Sequence, residues 1–582
     1  MVILTSPITS GQATFLVAFV WSLLAWIASE ILNWLQSSIP TKPGDEDRDD
    51  SETGKLLPTT AAAGGGAAGA VTATVSATAA SHHGANGAAP PEAGAAAIVA
   101  DKSPPAAPAK PAASVGFGVH GNMLTSIAHS GFVDCLLMKR KALLKHRATL
   151  RAAVEFGALM CWYFLCDRTT VFAEGEKSYS RDLFVFLFVV LTSVAVGSSL
   201  QAFKMPLLLN RPQTEEWKGW MQILFLLYHY FEAREAYNAI RIFIAGYVWM
   251  TGFGNFSYYY KTGDFCIGRF AQMMWRLNFM VFFTCVVLNN SYMLYYICPM
   301  HTIFTVFVYA ALAIAPQYNQ NNFWCLMKIV ACFLFIFVTW DIKTVFYAIW
   351  SPFTFLVGYS DPRKASDDVL HEWYFRSSLD RYIWIYGMLC AFMHPPVAAL
   401  LKYIDEMPII RRVTVRSFVI SLCAVAGYFY YVHIYTLPKL EYNQVHPYTS
   451  WIPITLWIIL RNMTPWLRIH HLRLYGWLGC ITLETYISQF HIWMKTVIPD
   501  GQPKSLLVFI PGYPLLNFAL VSALYILISH RLFELTNTLK NAVVPHSNDS
   551  LLARNCVMMV VAGAVLWAVV ALIYNLVVVV EK

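Results

Sequence analysis

The sequence predicts an all-α fold, a polytopic integral membrane bundle of about twelve to fifteen transmembrane helices. Three observations carry this expectation. The 582 residues are 57% hydrophobic, 15% aromatic and only 13% charged, where a soluble domain holds roughly 45–50% apolar and about 25% charged residues. Apolar runs recur along most of the chain, and a hydrocarbon core about 30 Å thick needs about 20 such residues per helix. A single low-complexity stretch, 38–117, interrupts them.

Taken in order, the runs centre on Phe15–Leu35, Leu150–Cys166, Leu183–Phe203, Trp217–Phe231, Ile240–Phe253, Phe270–Leu288, Thr302–Ala315 and Phe323–Trp340. They continue through Thr344–Gly358, Tyr382–Leu401, Phe418–Tyr435, Ile452–Leu460, Tyr475–Trp493 and Leu506–Ile528 to the uncharged Cys556–Val580. Residues 1–14 hold no Lys or Arg, so the first run, within 1–37, reads as a retained span rather than a signal peptide. Residues 38–117 run from "GDEDRDDSE" into Ala/Gly/Pro repeats too poor in large apolar side chains to offset chain entropy, which predicts a disordered loop. His82 and His83 lie in it as solvated residues. Residues 118–151 form a basic, amphipathic juxtamembrane segment containing "MKRKALLKHRATLR", which the positive-inside rule places in the cytoplasm. Residues 152–582 make the multipass domain. The twelve cysteines are scattered without C-x-x-C or zinc spacing, so no metal site and no disulfide framework is expected. The net charge of +8 fits cytoplasmic loops beside a lipid bilayer and calls for no nucleic acid.

Ionisable side chains at membrane depth are costly and mark functional sites by default. In "YHYFEAREAYNAIRIF", Arg234, Asn238 and Arg241 fall at i, i+4 and i+7 after His229, which predicts one polar stripe. In "KTGDFCIGRFAQMMWRLNF", Arg269, Gln272 and Arg276 fall at i, i+3 and i+7 behind Lys261 and Asp264. "LNNSYMLYYICPMHT" places His301 in a first helical turn after Pro299. "LETYISQFHIWM" spaces Glu484, Ser488 and His491 at i, i+4 and i+7, with Gln489 to the side. Each also has a bland reading: the arginines snorkel or pair with Glu232, Glu235 or Asp264, and the histidines sit neutral in the core. Guanidinium stripes suit an anion carrying several phosphates. A histidine oriented by a carboxylate can take a proton from a hydroxyl. Together they point to acyl transfer from a coenzyme A thioester, with Arg234, Arg241, Lys261, Asp264, Arg269 and Arg276 around the donor. His301 or His491 would be base or acetyl acceptor, Glu484 the orienting acid, and His229, Asn238, Gln272, Ser488 and Gln489 further lining. The same cations would equally serve a transporter of acetyl-CoA or acetyl groups. No G-x-S-x-G, H-E-x-x-H or Walker pattern occurs.

The segments "SYYYKTGDFCIGRFAQMMWRLNF", "NNSYMLYYICPMHT", "LGCITLETYISQFHIWMKTVIPDGQPK" and "ISHRLFELTNTLK" resemble the plant Reduced Wall Acetylation proteins, over roughly 150–582. That family includes the membrane half of sialic-acid O-acetyltransferases and fungal capsule O-acetylation proteins. The resemblance implies a multi-pass Golgi membrane protein needed to O-acetylate cell-wall polysaccharide, with cytosolic acetyl-CoA as donor and no bound cofactor. Animal and fungal relatives carry a lumenal hydrolase-like domain after the first span. Here that interval is the Ala/Gly/Pro loop, which implies that a separate lumenal acetyltransferase makes the last transfer.

Overall fold

The computed structural model describes residues 4, 6–38, 131–363, 368–545 and 549–581, with side chains to 576. The predicted loop at 38–117 with His82 and His83, and the first part of the juxtamembrane segment, lie outside the described residues save for residue 38. Its remainder forms two short helices, Gly131–Leu136 and Arg140–Lys145.

The principal helices are α1 (Ser10–Ser38), α2 (Arg147–Arg168), α3 (Arg181–Ser199), α4 (Arg211–Phe231), α5 (Tyr237–Thr262), α6 (Ile267–Leu288), α7 (Ile297–Ala313) and α8 (Asn322–Ile336). They continue as α9 (Ile383–Phe392), α10 (His394–Glu406), α11 (Ile409–Tyr430), α12 (Lys439–Thr449), α13 (Arg473–Cys480), α14 (Thr482–Ser488), α15 (Pro514–Val543) and α16 (Asp549–Glu581). The expected class is therefore observed, but the span count is smaller. Among the described residues eight helices are long and apolar enough to cross a membrane, or nine if the pair bent by 56° at His394 is one span. The difference lies in runs such as Ile452–Leu460, which falls in a helix of 12 residues, Trp451–Asn462. At 1.5 Å per residue that helix reaches only about 18 Å. Conversely α4 and α5, with 21 and 26 residues, are long enough but too polar by composition.

Small residues bring two helix pairs into backbone contact. A Cβ on Gly219 of α4 would lie 1.9 Å from the Tyr475 carbonyl oxygen of α13, and one on Gly479 1.9 Å from that of Glu215. In α5 and α9, a Cβ on Gly252 would lie 1.9 Å from the Trp384 carbonyl oxygen, and one on Gly387 2.3 Å from that of Trp249. Small-residue packing of this kind replaces the hydrophobic driving force that lipid removes. Because the obstructing atoms are backbone, Gly252→Ala is expected to destabilise the chain by about 3 kcal/mol, the upper range for overpacking. A melting curve in detergent checks this, with Gly254→Ala, where a Cβ meets nothing within 4 Å, as the neutral comparison.

Strands are few and short. β1 (Ala173–Gly175), β4 (Met494–Lys495) and β5 (Ser505–Val508) form an antiparallel sheet in the order β1-β5-β4. β2 (Leu200–Ala202) pairs with β3 (His470–Leu472). The first sheet ties the segment after α2 to the segment after a π-turn at Gln489–Trp493. This closure brings residues more than three hundred positions apart to one place.

Candidate functional site

At the end of α2 the apolar run stops at Asp167 and Arg168, exposed by 0% and 1%. Two adjacent ions cannot stay in such a place unless every charge is met. Arg168 NH1 donates to Asp167 Oδ2 at 2.5 Å and to Thr496 Oγ1 at 2.6 Å, and NH2 donates to Asn290 Oδ1 at 2.8 Å. Asp167 also accepts from the Thr496 amide at 2.6 Å and the Thr496 hydroxyl at 2.7 Å. Every one of these donors holds it as an acceptor, that is, as a carboxylate.

His491 Nδ1 lies 2.8 Å from Asp167 Oδ2. Since a carboxylate can only accept, Nδ1 carries the proton and Nε2 is left as acceptor. Nε2 stands 2.6 Å from the Tyr295 hydroxyl, which in turn accepts from Asn290 Nδ2 at 3.0 Å. The hydrogen bonds thus run in one sense, Asn290 to Tyr295 to His491 to Asp167. Tyr295 and His491 are both 0% exposed. The loop beyond is locked on: Asp500 N donates to Asn290 Oδ1 at 2.9 Å, and Arg363 donates to the carbonyls of Thr496 and Gln502. Nearby Lys177 donates to the Pro503 carbonyl at 3.1 Å, and burial pushes its ammonium down to about 8.

The predicted Glu484–Ser488–His491 face comes apart. Glu484 pairs with Arg276 across to α6, with NH2 donating to Oε2 at 2.8 Å. Ser488 meets the Tyr163 hydroxyl at 2.5 Å and accepts from Ser529 at 3.2 Å. His491 turns to Asp167. The cause is the π-turn at Gln489–Trp493, whose wider i→i+5 bonding breaks the 3.6-residue phase on which the face rested. Gln489 is 0% exposed and both its amide atoms lack a partner.

The first cationic stripe is also not one stripe. Arg234 lies in a 3-10 turn before α5 begins, with its side chain 86% exposed and paired to Glu232. Asn238 donates to the carbonyls of Tyr435 and Leu437, fixing the connector after α11. Arg241 is buried, with NH1 3.9 Å from Asp380. The second stripe does share one helix. On α6, Arg269 stacks 4.6 Å from the Tyr258 ring, Gln272 is buried and Arg276 holds Glu484. Lys261 is exposed at the end of α5, and Asp264 caps the turn by accepting from the Cys266 amide at 3.0 Å. Lys218 and Lys540, which the sequence did not single out, lie within electrostatic reach of Arg276, and Lys540 also of Arg269.

His301 belongs to a different set. It is half-buried, with Nδ1 2.6 Å from Thr251 Oγ1 of α5 and Nε2 making no hydrogen bond to a described residue. His229, half-buried at the end of α4, packs edge-on against Phe225 at 4.6 Å. Among the described residues no group of three His, Cys, Asp or Glu could hold a metal ion.

The fold defines the class, a polytopic membrane protein of helices, with a buried histidine oriented by a carboxylate in its interior. Residues 129–556 match the family described as the 10 TM acyl transferase domain found in Cas1p, and the chain belongs to that family. It is similar to N-acetylneuraminate (7)9-O-acetyltransferase of Danio rerio, 31% identical over 430 residues. That match covers 71% of this chain and 53% of the relative, so the chain spans about half the relative's length. No solved structure matches.

Proposed function

We propose that the chain O-acetylates polysaccharide in the Golgi membrane, drawing acetyl groups from cytosolic acetyl-CoA and delivering them at the lumenal side. The observation that carries this reading is the Tyr295–His491–Asp167 chain, placed at the opposite end of α6 from the cations. α2 starts beside the basic segment 138–151, the cytoplasmic side by the positive-inside rule. Its 22 residues rise about 33 Å to Arg168. There Arg168 donates to the carbonyl of Leu288, the last residue of α6, at 3.1 Å. α6 therefore runs in the same sense as α2, with Arg269 near the cytoplasmic end. Cell-wall glycan is the acceptor expected for a plant-like member, and a saccharide hydroxyl is the chemistry named for the Danio rerio relative.

In this reading Arg269, Arg276, Lys218 and Lys540 meet the donor's phosphates, since guanidinium and ammonium groups match phosphate oxygens. At the other end Tyr295 hands its proton to His491 Nε2 as it takes one from the acceptor hydroxyl. The hydroxyl oxygen attacks the acetyl carbonyl, the bond to the leaving group breaks, and the proton on His491 returns to that group. Asp167 stabilises the imidazolium formed in between. Alanine at Arg269 and Lys540 together is expected to raise KM for acetyl-CoA about tenfold, ~1.4 kcal/mol, with kcat little changed. Raising salt should weaken the wild-type protein in the same direction.

The separation of the cations from His491 also favours a second reading, in which the chain moves acetyl-CoA or acetyl groups to a separate lumenal acetyltransferase. Full-length protein in liposomes, with acetyl-labelled donor outside and xylan inside, distinguishes the two. Label on xylan with free coenzyme A outside supports transfer by this chain. Intact acetyl-CoA accumulating inside, with no coenzyme A released, would overturn it in favour of transport.

A further inference from the structure

A second buried polar cluster lies apart from the Asp167–His491 network. It joins Arg241 of α5, Asp380 after the helix His371–Leu379, and His446 of α12, with side chains exposed by only 3%, 0% and 0%. His446 Nε2 is 3.6 Å from Asp380 Oδ1, and Arg241 NH1 is 3.9 Å from Oδ2. These are ion-pair distances too long for hydrogen bonds. Both Asp380 oxygens, Arg241 NH1, His446 Nε2 and Asn443 Nδ2 are buried without a hydrogen-bond partner. On α12 the neighbouring polar atoms are well held. His446 Nδ1 is 3.1 Å from the Tyr442 hydroxyl, and Asn443 Oδ1 accepts from Tyr237 at 3.0 Å.

An unmet buried polar atom costs about 1–3 kcal/mol, and a charged one more. Three side chains aiming such atoms at one another therefore call for something polar between them. Its chemistry is constrained. It must donate to Asp380 and accept from Arg241, so it both gives and takes hydrogen bonds. A metal cation would meet the Arg241 guanidinium, and a simple anion the Asp380 carboxylate. Partners only 3.6 and 3.9 Å apart leave room between them for one small molecule, not a sugar ring. A water molecule about 2.8 Å from each of two groups fits between partners 3.6 and 3.9 Å apart by sitting off the line joining them. It would have the two to four polar partners a buried water needs.

We propose that Arg241, Asp380 and His446 form a buried water-binding site in the bundle interior. It stands on its own geometry and does not depend on the acetyl-transfer reading. Its position matters nonetheless, because Asp380 lies within electrostatic reach of His301, whose Nε2 makes no hydrogen bond to a described residue.

Brief synchrotron hydroxyl-radical labelling of the full chain in nanodiscs, read by mass spectrometry, tests the site, because radiolysis of a bound water labels the side chains around it. Tyr442 is the reporter, 0% exposed and bonded to His446; Tyr525, 1% exposed with its hydroxyl on the Thr485 carbonyl, is the dry reference. Tyr442 is expected to label at least tenfold faster than Tyr525, with oxygen-18 from added labelled water entering more slowly than at exposed Tyr513. Equal, background labelling of the two tyrosines would overturn the proposal. In the variant Arg241→Met/Asp380→Leu/His446→Leu, Tyr442 labelling should fall to the Tyr525 level at an unchanged melting temperature. Persistence of the label in that folded variant would equally overturn it, and if the variant does not fold, the wild-type comparison decides alone.

Discussion

Asp167→Asn is expected to leave the fold standing and to lower acetyl transfer by about 10²–10⁴-fold, the range for losing an oriented base. Asparagine keeps the volume and can still accept from Thr496, but it cannot hold His491 in the tautomer whose Nε2 accepts from Tyr295. His491→Ala should give a loss of the same size, and the double variant no further loss, because residues acting as one unit are not additive. The comparison with Asp167→Ala matters. Both changes remove the counter-charge of Arg168, 1% exposed, but only Asp167→Ala also removes the oxygen that accepts from it, so the alanine variant should approach the cost of a broken buried pair, about 3–5 kcal/mol. A transfer assay with a melting curve on each variant separates the two effects. Full activity in a folded Asp167→Asn protein would remove this network from the reaction.

Arg276→Ala carries the second large effect, this time on stability. Glu484 has a side-chain exposure of 0% while Arg276 has 23%, so deleting the arginine strands a carboxylate that water cannot reach. The expected loss is about 3–5 kcal/mol. Replacing both, as Arg276→Met/Glu484→Leu, should recover most of it, because a buried pair exchanged for apolar groups of similar size is often neutral. Arg276 also covers the Phe533 ring at 5.0 Å, a contact methionine partly keeps. Thermal melting of the three variants checks this. Equal melting of Arg276→Ala and wild type would mean that this pair does not hold the fold together. A stable Arg276→Met/Glu484→Leu protein then reports the donor-binding role of Arg276 free of any folding defect.

The helical class was legible because lipid leaves hydropathy little competition: runs such as Phe15–Leu35 and Phe270–Leu288 lie within α1 and α6. The span count was less legible, since a run of apolar residues does not reveal where a helix breaks, as at His394. His491 stood out as a polar residue in an apolar run, yet its partner Asp167 lies 324 positions away and no local spacing could join them. An Asp-Arg pair closing an apolar run was the available signal. Periodicity failed where helical geometry itself changed, at the π-turn after Ser488 and the 3-10 turn holding Arg234. It held on α6, where the helix is continuous. Lys218 and Lys540 went unnoticed because each is a lone cation in its own segment, and only folding brings them to Arg276.

The four glycine contacts also set the mechanics of the bundle. With Gly219 and Gly479 seated against opposing carbonyls, and Gly252 and Gly387 likewise, no side chain separates the two backbones at these four points. Sliding or rolling one partner would drive backbone into backbone, whereas side-chain interfaces elsewhere can re-pack by rotamer changes. The pairs α4–α13 and α5–α9 therefore behave as two welded girders. Any working cycle must rock these girders as units or flex the turns outside them.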